Sequence, residues 1–287
     1  MRKYLSKIRK TLFKNTVGER LAIILSGFPW LSSKLCVPYH DYEFETFRVV
    51  KRKESILKLD ISNGVDHFIY FKKRDTSFDF LLNEIKEART IFDIGGNIGS
   101  FALLFEKTNP AATIYSFEPH PYTFKRLKEN LDLNHSNIHA CNIGLGDKKD
   151  KIKMYEVDSH DIGMNKMFKE EQDYPSVLVD VDKLDDFWKD RSAVDFIKID
   201  VEGFEHAVLT GAWQLLQKYF PVMVIEIDDN NLRSNGSSAK EVIELLYAIG
   251  YDYIMTSDKK SVVIPSDNFS NCHFDIIAKK TNSQQQA

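Results

Sequence analysis

Ile91-Phe92-Asp93-Ile94-Gly95-Gly96-Asn97-Ile98-Gly99-Ser100 decides how this chain is read. An apolar strand carrying one acid runs into a glycine-rich turn, and a helix follows. Glycine allows tight turning and lets a ligand approach the amide N–H groups at the helix start, so the turn is a ligand cradle. It is not a diphosphate cradle. The fingerprint G-x-G-x-x-G, started at Gly95, meets Asn97 and Ser100; started at Gly96 it meets Ile98 and Phe101. No G-K-[ST] follows, which excludes a P-loop. Asp93 places a carboxylate beside the turn, where it repels a diphosphate and attracts an ammonium or sulfonium group.

Outward from the turn, strands and helices alternate. Strands are expected at Thr90 to Ile94, Thr113 to Phe117, Ile138 to Gly144, Phe196 to Asp200, Val222 to Ile227, Tyr251 to Thr256 and His273 to Ala278. Between them, Phe124, Leu127 and Leu131 form one apolar stripe, and Phe204, Val208, Ala212, Leu215 and Tyr219 form another. Ser238 and Glu241 make a capping box before Val242, Leu245, Leu246 and Ile249, and Gly250 stops that helix. Such alternation implies a mostly parallel sheet covered on both faces.

Upstream, Phe47 to Val50, Ile56 to Ile61 and His67 to Phe71 are short β-branched or aromatic runs, with Arg52-Lys53-Glu54 and Asn63-Gly64 between them. They read as an antiparallel meander leading into a helix over Phe78 to Ala88. The expected organisation is a basic helical segment over 1–40, the meander and helix over 41–88, a Rossmann-like domain over 89–280 and a disordered tail over 281–287.

Composition narrows the classes of function. With 287 residues, 43% hydrophobic and 28% charged, the chain reads as an ordinary soluble globular protein with a sizeable core. A net charge of −3 gives no overall attraction for phosphate backbones, so nucleic acid is not an expected partner. Cys36, Cys141 and Cys272 are far apart, which fits reduced thiols in a cytoplasmic protein. The apolar stretch Leu21 to Leu31 is broken by Ser26, Gly27 and Pro29, and is too short to cross a bilayer. Arg2, Lys3, Lys7, Arg9, Lys10, Lys14 and Arg20 face a single acid, Glu19, in the first twenty residues. A basic amphipathic helix there would give weak contact with anionic lipid, although a solvated helix packed on the domain is the simpler reading.

Downstream of the turn, Glu118 follows the strand Thr113 to Phe117. An acid at the end of the second strand, roughly 20 residues past the glycine turn, is placed to accept hydrogen bonds from ribose hydroxyls. At this point the chain resembles the FkbM family of methyltransferases, over residues 90 to 255. The matching stretches are Asp93 to Gly99, Phe117-Glu118-Pro119-His120-Pro121, Asn130-Leu131-Asp132-Leu133-Asn134, Lys198-Ile199-Asp200-Val201-Glu202-Gly203-Phe204-Glu205 and Val208-Leu209-Thr210-Gly211-Ala212, followed by Pro221 and Glu226. Gly96 departs from the alanine of many members and should be tolerated.

The resemblance implies S-adenosylmethionine as methyl donor, O-methylation of a hydroxyl, and a seven-stranded Rossmann-like class I methyltransferase sheet whose last strand is antiparallel. Carried over by position, Asp93 orients the methionine end of the donor, Gly95, Asn97 and Gly99 line the turn, Glu118 holds the ribose, and Ile143 and Gly144 border the adenine. The acceptor is expected to be a glycan or a small molecule.

Methyl transfer from a sulfonium is an in-line displacement, so alignment supplies most of the acceleration and a base removes the hydroxyl proton. Asp200, Glu202 and His206 are the base candidates near the end of the fourth strand. Glu202 and His206 are expected at i and i+4 on the first helical turn, facing the same side. Glu205 is better explained by the helix dipole. His160, in an expected loop over Asp158 to Lys166, is a further base candidate. A cation set of oxygen donors can be drawn from Asp200, Glu226, Asp228 and Asp229, but acids at strand ends near a cationic cofactor explain these residues without a metal. Two other readings compete: a nicotinamide-dependent oxidoreductase, which lacks its fingerprint, and a non-catalytic membrane-surface module on a degenerate methyltransferase fold.

Overall fold

A computed structural model describes residues 14–25, 35–52, 54–71, 79–156, 166–167, 174–189, 191–258 and 261–281. The chain divides into two compact units, the first ending at Asp79 and the second beginning at Phe80. The proposed basic helix at the extreme N-terminus, His160 and the polar tail beyond Thr281 lie outside the described residues.

In the first unit, helix α1 spans Thr16–Leu25, strands β1 (Phe47–Arg52) and β2 (Ser55–Asp60) pair antiparallel, and helix α2 spans Gly64–Phe71. The third run of the expected meander is therefore a helix. Asn63 does not open a hairpin; its side chain accepts from Asp66 N–H at 3.2 Å and its carbonyl from His67 N–H at 2.9 Å, which is an N-cap. Glu19, the lone acid of the basic segment, is fully buried and accepts from Arg48 Nε and Nη2 at 2.8 and 3.0 Å and from the Tyr70 hydroxyl at 3.2 Å.

The second unit opens in helix α3 (Asp79–Glu84). Asn109 Nδ2 donates to the carbonyls of Ile85 and Ala88, both at 2.8 Å, tying the segment after α3 to this unit. There follow β3 (Thr90–Ile94), α4 (Ser100–Thr108), β4 (Thr113–Phe117), α5 (Pro121–Leu133), β5 (His139–Cys141), β6 (Gly144–Leu145), β7 (Asp150–Tyr155), β8 (Lys166–Met167), β9 (Ser176–Asp182), α6 (Leu184–Phe187) and β10 (Phe196–Ile199). The chain ends through α7 (Glu205–Gly211), α8 (Trp213–Tyr219), β11 (Val222–Asp228), α9 (Asp229–Ser234), α10 (Ala239–Ile249), β12 (Tyr253–Thr256) and β13 (His273–Lys279).

Seven of these strands form one sheet in the order β12-β13-β11-β10-β3-β4-β5. The strands from β11 to β5 run parallel, while β13, the last in sequence, lies antiparallel between β11 and β12. Chain order reverses between β3 and β10, and such a switch point opens a crevice at the carboxyl ends of the strands. One face of the sheet carries the main core: Phe92, Ile94, Ile197, Ile199, Ile225 and Ile227 pack with Val208 of α7 and Val242, Leu246 and Ile249 of α10. Residues alternating with these point to the other face.

Two local readings change and one holds. The expected strand Ile138 to Gly144 is two: β5 ends at Cys141, while Gly144 pairs with Val181 of β9 in a separate four-stranded sheet, order β6-β9-β7-β8. The stripe from Phe204 to Tyr219 is two helices, because Asp185 Oδ2 and Oδ1 accept from the N–H groups of Gln214 and Leu215 at 3.0 and 2.8 Å and so cap a new start. The capping box at Ser238 forms as expected, its hydroxyl oxygen accepting from Glu241 N–H at 3.3 Å, and Gly250 closes α10 in the left-handed region.

Candidate active site

β3 is buried along its whole length, as suits a central parallel strand, and Asp93 is its one charge. Register sets Asp93 between Ser116 of β4 and Lys198 of β10, so three polar side chains form a row across the middle of the sheet. Ser116 Oγ donates to Asp93 Oδ2 at 3.2 Å. Lys198 Nζ lies 3.6 Å from Asp93 Oδ1, an ion pair too long for a hydrogen bond, and 3.1 Å from Asp200 Oδ2. The Phe101 ring, one residue into α4, covers the same ammonium at 4.8 Å.

The turn after β3 is held by its neighbours' backbone. Gly95 and Gly96 N–H both donate to the carbonyl of Phe117, at 3.0 and 2.8 Å. Gly95 sits at φ +82, and a Cβ there would stand 1.8 Å from the carbonyl oxygen of Asp200, so only glycine permits this approach. Asn97 adopts φ +47, and Gly99 occupies the N-cap of α4. Glu118 spans the gap from the next strand: Oε2 accepts from Asn97 N–H and Oε1 from His120 N–H, both at 2.9 Å. Asn142 Nδ2 donates to the carbonyls of Glu118 and Pro119 at 2.9 and 3.0 Å, which brings the loop carrying Ile143 to the end of β4. Gly144 is buried in the second sheet.

Burial governs the charges. It pushes Glu118 up to about 7 against the pull of its two backbone N–H donors. Burial also raises Asp93, opposed by Lys198 and Ser116. For Lys198, burial works against the cation, yet Asp200 and Asp93 outweigh it and hold the ammonium above the ordinary lysine range. Asp93 Oδ1 and Asn97 Oδ1 are buried with no hydrogen-bond partner among the described residues. Two unsatisfied acceptors at one turn fit a ligand that arrives with a cation and hydrogen-bond donors.

Beside this turn Asp200, Glu202 and Glu226 gather, each with a carboxylate oxygen within 4.8 Å of the others. All three are already engaged: Asp200 by Lys198, Glu202 by Asn231 Nδ2 at 2.8 Å, and Glu226 by Asp200 and by His273 Nε2 at 3.1 Å. Burial and the neighbouring Asp200 push Glu226 well above the carboxylate range. Burial pulls Asp200 the same way, but Lys198 outweighs it and holds Asp200 below its ordinary value. Burial and mutual repulsion thus favour one proton on the pair as a whole.

Several expected roles change here. Glu202 is not on the first helical turn: it sits at φ +53 in the bend before α7, whose N-cap is Phe204, so the i, i+4 relation with His206 does not form. His206 lies in the first turn of α7 and outside the acid cluster. Glu205 is buried, and its Oε1 accepts from Val201 and Gly203 N–H at 3.3 and 3.1 Å. Asp228 caps α9 through Asn230 and Asn231 N–H at 2.9 and 3.0 Å, and Asp229 is buried with Arg233 Nε at 2.6 Å; both are structural. Lys198, Ser116 and His273 were given no role in the sequence. A lysine inside Phe196-Ile197-Lys198-Ile199 is the same signal as an aspartate inside β3, a charge in a strand otherwise apolar throughout.

Residues 93–253, more than half of the chain, match the family model described as the methyltransferase FkbM domain. The chain belongs to the FkbM methyltransferase family. It is an S-adenosylmethionine-dependent methyltransferase, and its sheet is the Rossmann-like methyltransferase sheet. Among curated relatives it is similar to Methyltransferase 1 of Beauveria bassiana, 30% identical over 54% of this chain and 70% of that protein. It is also similar to the hexuronic acid methyltransferase AglP of Haloferax volcanii, at 29% over 58% of this chain and 64% of the relative. The 2-O-methyltransferase NoeI of Sinorhizobium fredii is 24% identical over 54% of this chain and 70% of its own length.

Proposed function

We propose that this FkbM-family enzyme methylates a hydroxyl oxygen of a glycan or small-molecule acceptor, with Asp200 as the proton acceptor. The observation that carries the reading is the pair of buried carboxylates, Asp93 and Glu118, at the ends of adjacent parallel strands, with Glu118 also holding the N–H of Asn97 in the turn after Asp93. Their placement at a strand-end crevice matches a ligand with a cationic amino-acid end and ribose hydroxyls. When bound, S-adenosylmethionine supplies a methyl group on a sulfonium, open to in-line attack.

The chain's own residues then have separable tasks. Asp93 presents negative charge to the amino-acid end, Glu118 accepts from the ribose hydroxyls, and Ile143 and Gly144 border the base. Asp200, kept ionised beside Lys198, takes the proton of the acceptor hydroxyl as the ether forms. Glu202, whose carboxylate gathers with those of Asp200 and Glu226, and His206, in the first turn of α7, are the further base candidates. The names of two relatives, a hexuronic acid methyltransferase and a 2-O-methyltransferase, support a sugar hydroxyl as acceptor.

We read the enzyme as cytoplasmic and as acting without nucleic acid or metal. The three free cysteines support the compartment, the net charge of −3 the absence of nucleic acid, and the engaged state of the three clustered acids a site without metal. The described residues contain no helix long and apolar enough to cross a membrane. Peripheral contact with lipid depends on the first basic residues, which are outside the description. No observation favours the nicotinamide reading.

Isothermal calorimetry tests the donor assignment. S-adenosylhomocysteine should bind the wild type saturably, and Asp93→Ala and Glu118→Ala should each weaken it; no affinity in the wild type removes the reading. Methyl glycosides of hexuronic acids are the first acceptors to try, with S-adenosylhomocysteine release as the signal and Asp200→Asn expected to lower kcat with little change in KM.

A further inference from the structure

Lys198 is the one charged residue of the central row that the proposed reaction leaves without a direct task. Its side chain is 6% exposed, between a fully buried Asp93 and an Asp200 that is 34% exposed. A lysine buried this deeply in a strand gains nothing from its own charge, since desolvating an ammonium is costly unless anions meet it. Here two anions share one cation, and the trio carries one net negative charge. The donor's ammonium and sulfonium, set against its single carboxylate, amount to one net positive charge. Site and ligand balance only while both aspartates are ionised.

We propose that Lys198 is a positioning residue for the methyl donor, its buried ammonium clamping Asp93 and Asp200 so that the donor's cationic end meets both as carboxylates. This rests on the donor assignment above and assigns the residue that maintains its charge. Ser116 supports Asp93 from the opposite side but brings no charge. Phe101 closes over the ammonium, so water is a poor substitute for it. Without Lys198, two carboxylates remain in a desolvated row, and the more buried one, Asp93, takes up a proton and ceases to attract the donor.

The charged groups that face Lys198 are Asp93 from β3, Asp200 and Glu202 after β10, Glu226 from β11, Glu118 after β4, and Asp275 and His273 from β13. Of these only His273 is a potential cation, and it is engaged with Glu226 and Asp228. No second lysine or arginine in this set replaces the missing charge.

The test is calorimetry with S-adenosylmethionine, without acceptor, on the full chain at about pH 6 and about pH 8, reported as the variant-to-wild-type ratio of dissociation constants so that other titrations cancel. For Lys198→Met the ratio should be about tenfold or more at the lower pH and should shrink as pH rises and Asp93 ionises. Lys198→Arg, which keeps the charge, should restore a ratio near unity at both. A ratio equal at the two pH values, or an arginine variant no better than methionine, would overturn the proposal in favour of simple packing. If Lys198→Met does not fold, wild-type ammonium-selective ¹H–¹⁵N spectra decide: the slowly exchanging Lys198 signal should shift on adding S-adenosylmethionine, and an unmoved signal counts against the clamp. Absence of wild-type binding would instead defeat the donor assignment itself.

Discussion

Glu118 Oε2 accepts from the backbone N–H of Asn97 at 2.9 Å, so the acid that ends one strand holds the turn that ends the strand beside it. The turn and the acid are therefore one device. Glu118→Gln should weaken S-adenosylhomocysteine binding by about tenfold or more, because a hydrogen bond to a charged acceptor contributes about 1.5–3 kcal/mol. Burial puts the Glu118 carboxyl at about 7, so wild-type affinity should fall as pH drops through that value and the carboxylate is lost. Glu118→Gln should show no such inflection in calorimetry across the same range.

Glu205 tests the same physics away from the donor. Burial raises it from 4.5 to about 7, so the stability tied to its protonation is complete below about pH 4.5 and is lost as pH rises through 7. The melting temperature of the unliganded protein should therefore decline from about pH 5 to about pH 8. Glu205→Gln keeps an acceptor for Val201 and Gly203 N–H and avoids the buried charge. It should flatten part of that decline and match or exceed the wild type by about 2 kcal/mol at the upper end. A variant less stable than wild type at high pH would show that ionised Glu205 is needed.

Gly96 stands where many family members have alanine, and a Cβ there would stand 2.1 Å from Ser116 Oγ. Gly96→Ala should displace that hydroxyl from Asp93 and cost about 1–3 kcal/mol. Ser116→Ala should relieve the clash, so the double variant should be more stable than the two single effects predict when measured by denaturant titration. Gly95→Ala should find no such rescue, because the atom it meets is the backbone oxygen of Asp200.

In the first unit, Arg48→Met would leave Glu19 fully buried with only the Tyr70 hydroxyl, a loss of about 3–5 kcal/mol for an uncompensated buried charge. Adding Glu19→Gln should recover most of it. Hydrogen exchange over residues 39–71 is the readout, and equal protection in Arg48→Met and wild type would disprove the estimate.

The sequence by itself determined most strands of the central sheet, the strand-turn-helix at Asp93 to Ser100 and the place of Asp93 and Glu118 at adjacent strand ends. These depend on local periodicity, on glycines where φ is positive and on charges that interrupt apolar strands, all of which are properties of neighbouring residues. The capping box at Ser238 was legible for the same reason. Asn63-Gly64 was misread because a turn and a helix N-cap use the same residues, and only the packing of α2 chooses between them. The second sheet is not legible because β7 and β9 are short and charged strands that draw their pairing from each other. Only tertiary structure decided that Lys198, more than a hundred positions from Asp93, shares its register, and that Glu202 stands in a bend rather than on a helix. Parallel strands are joined by long crossovers, so which charges meet across the sheet is settled when the strands align.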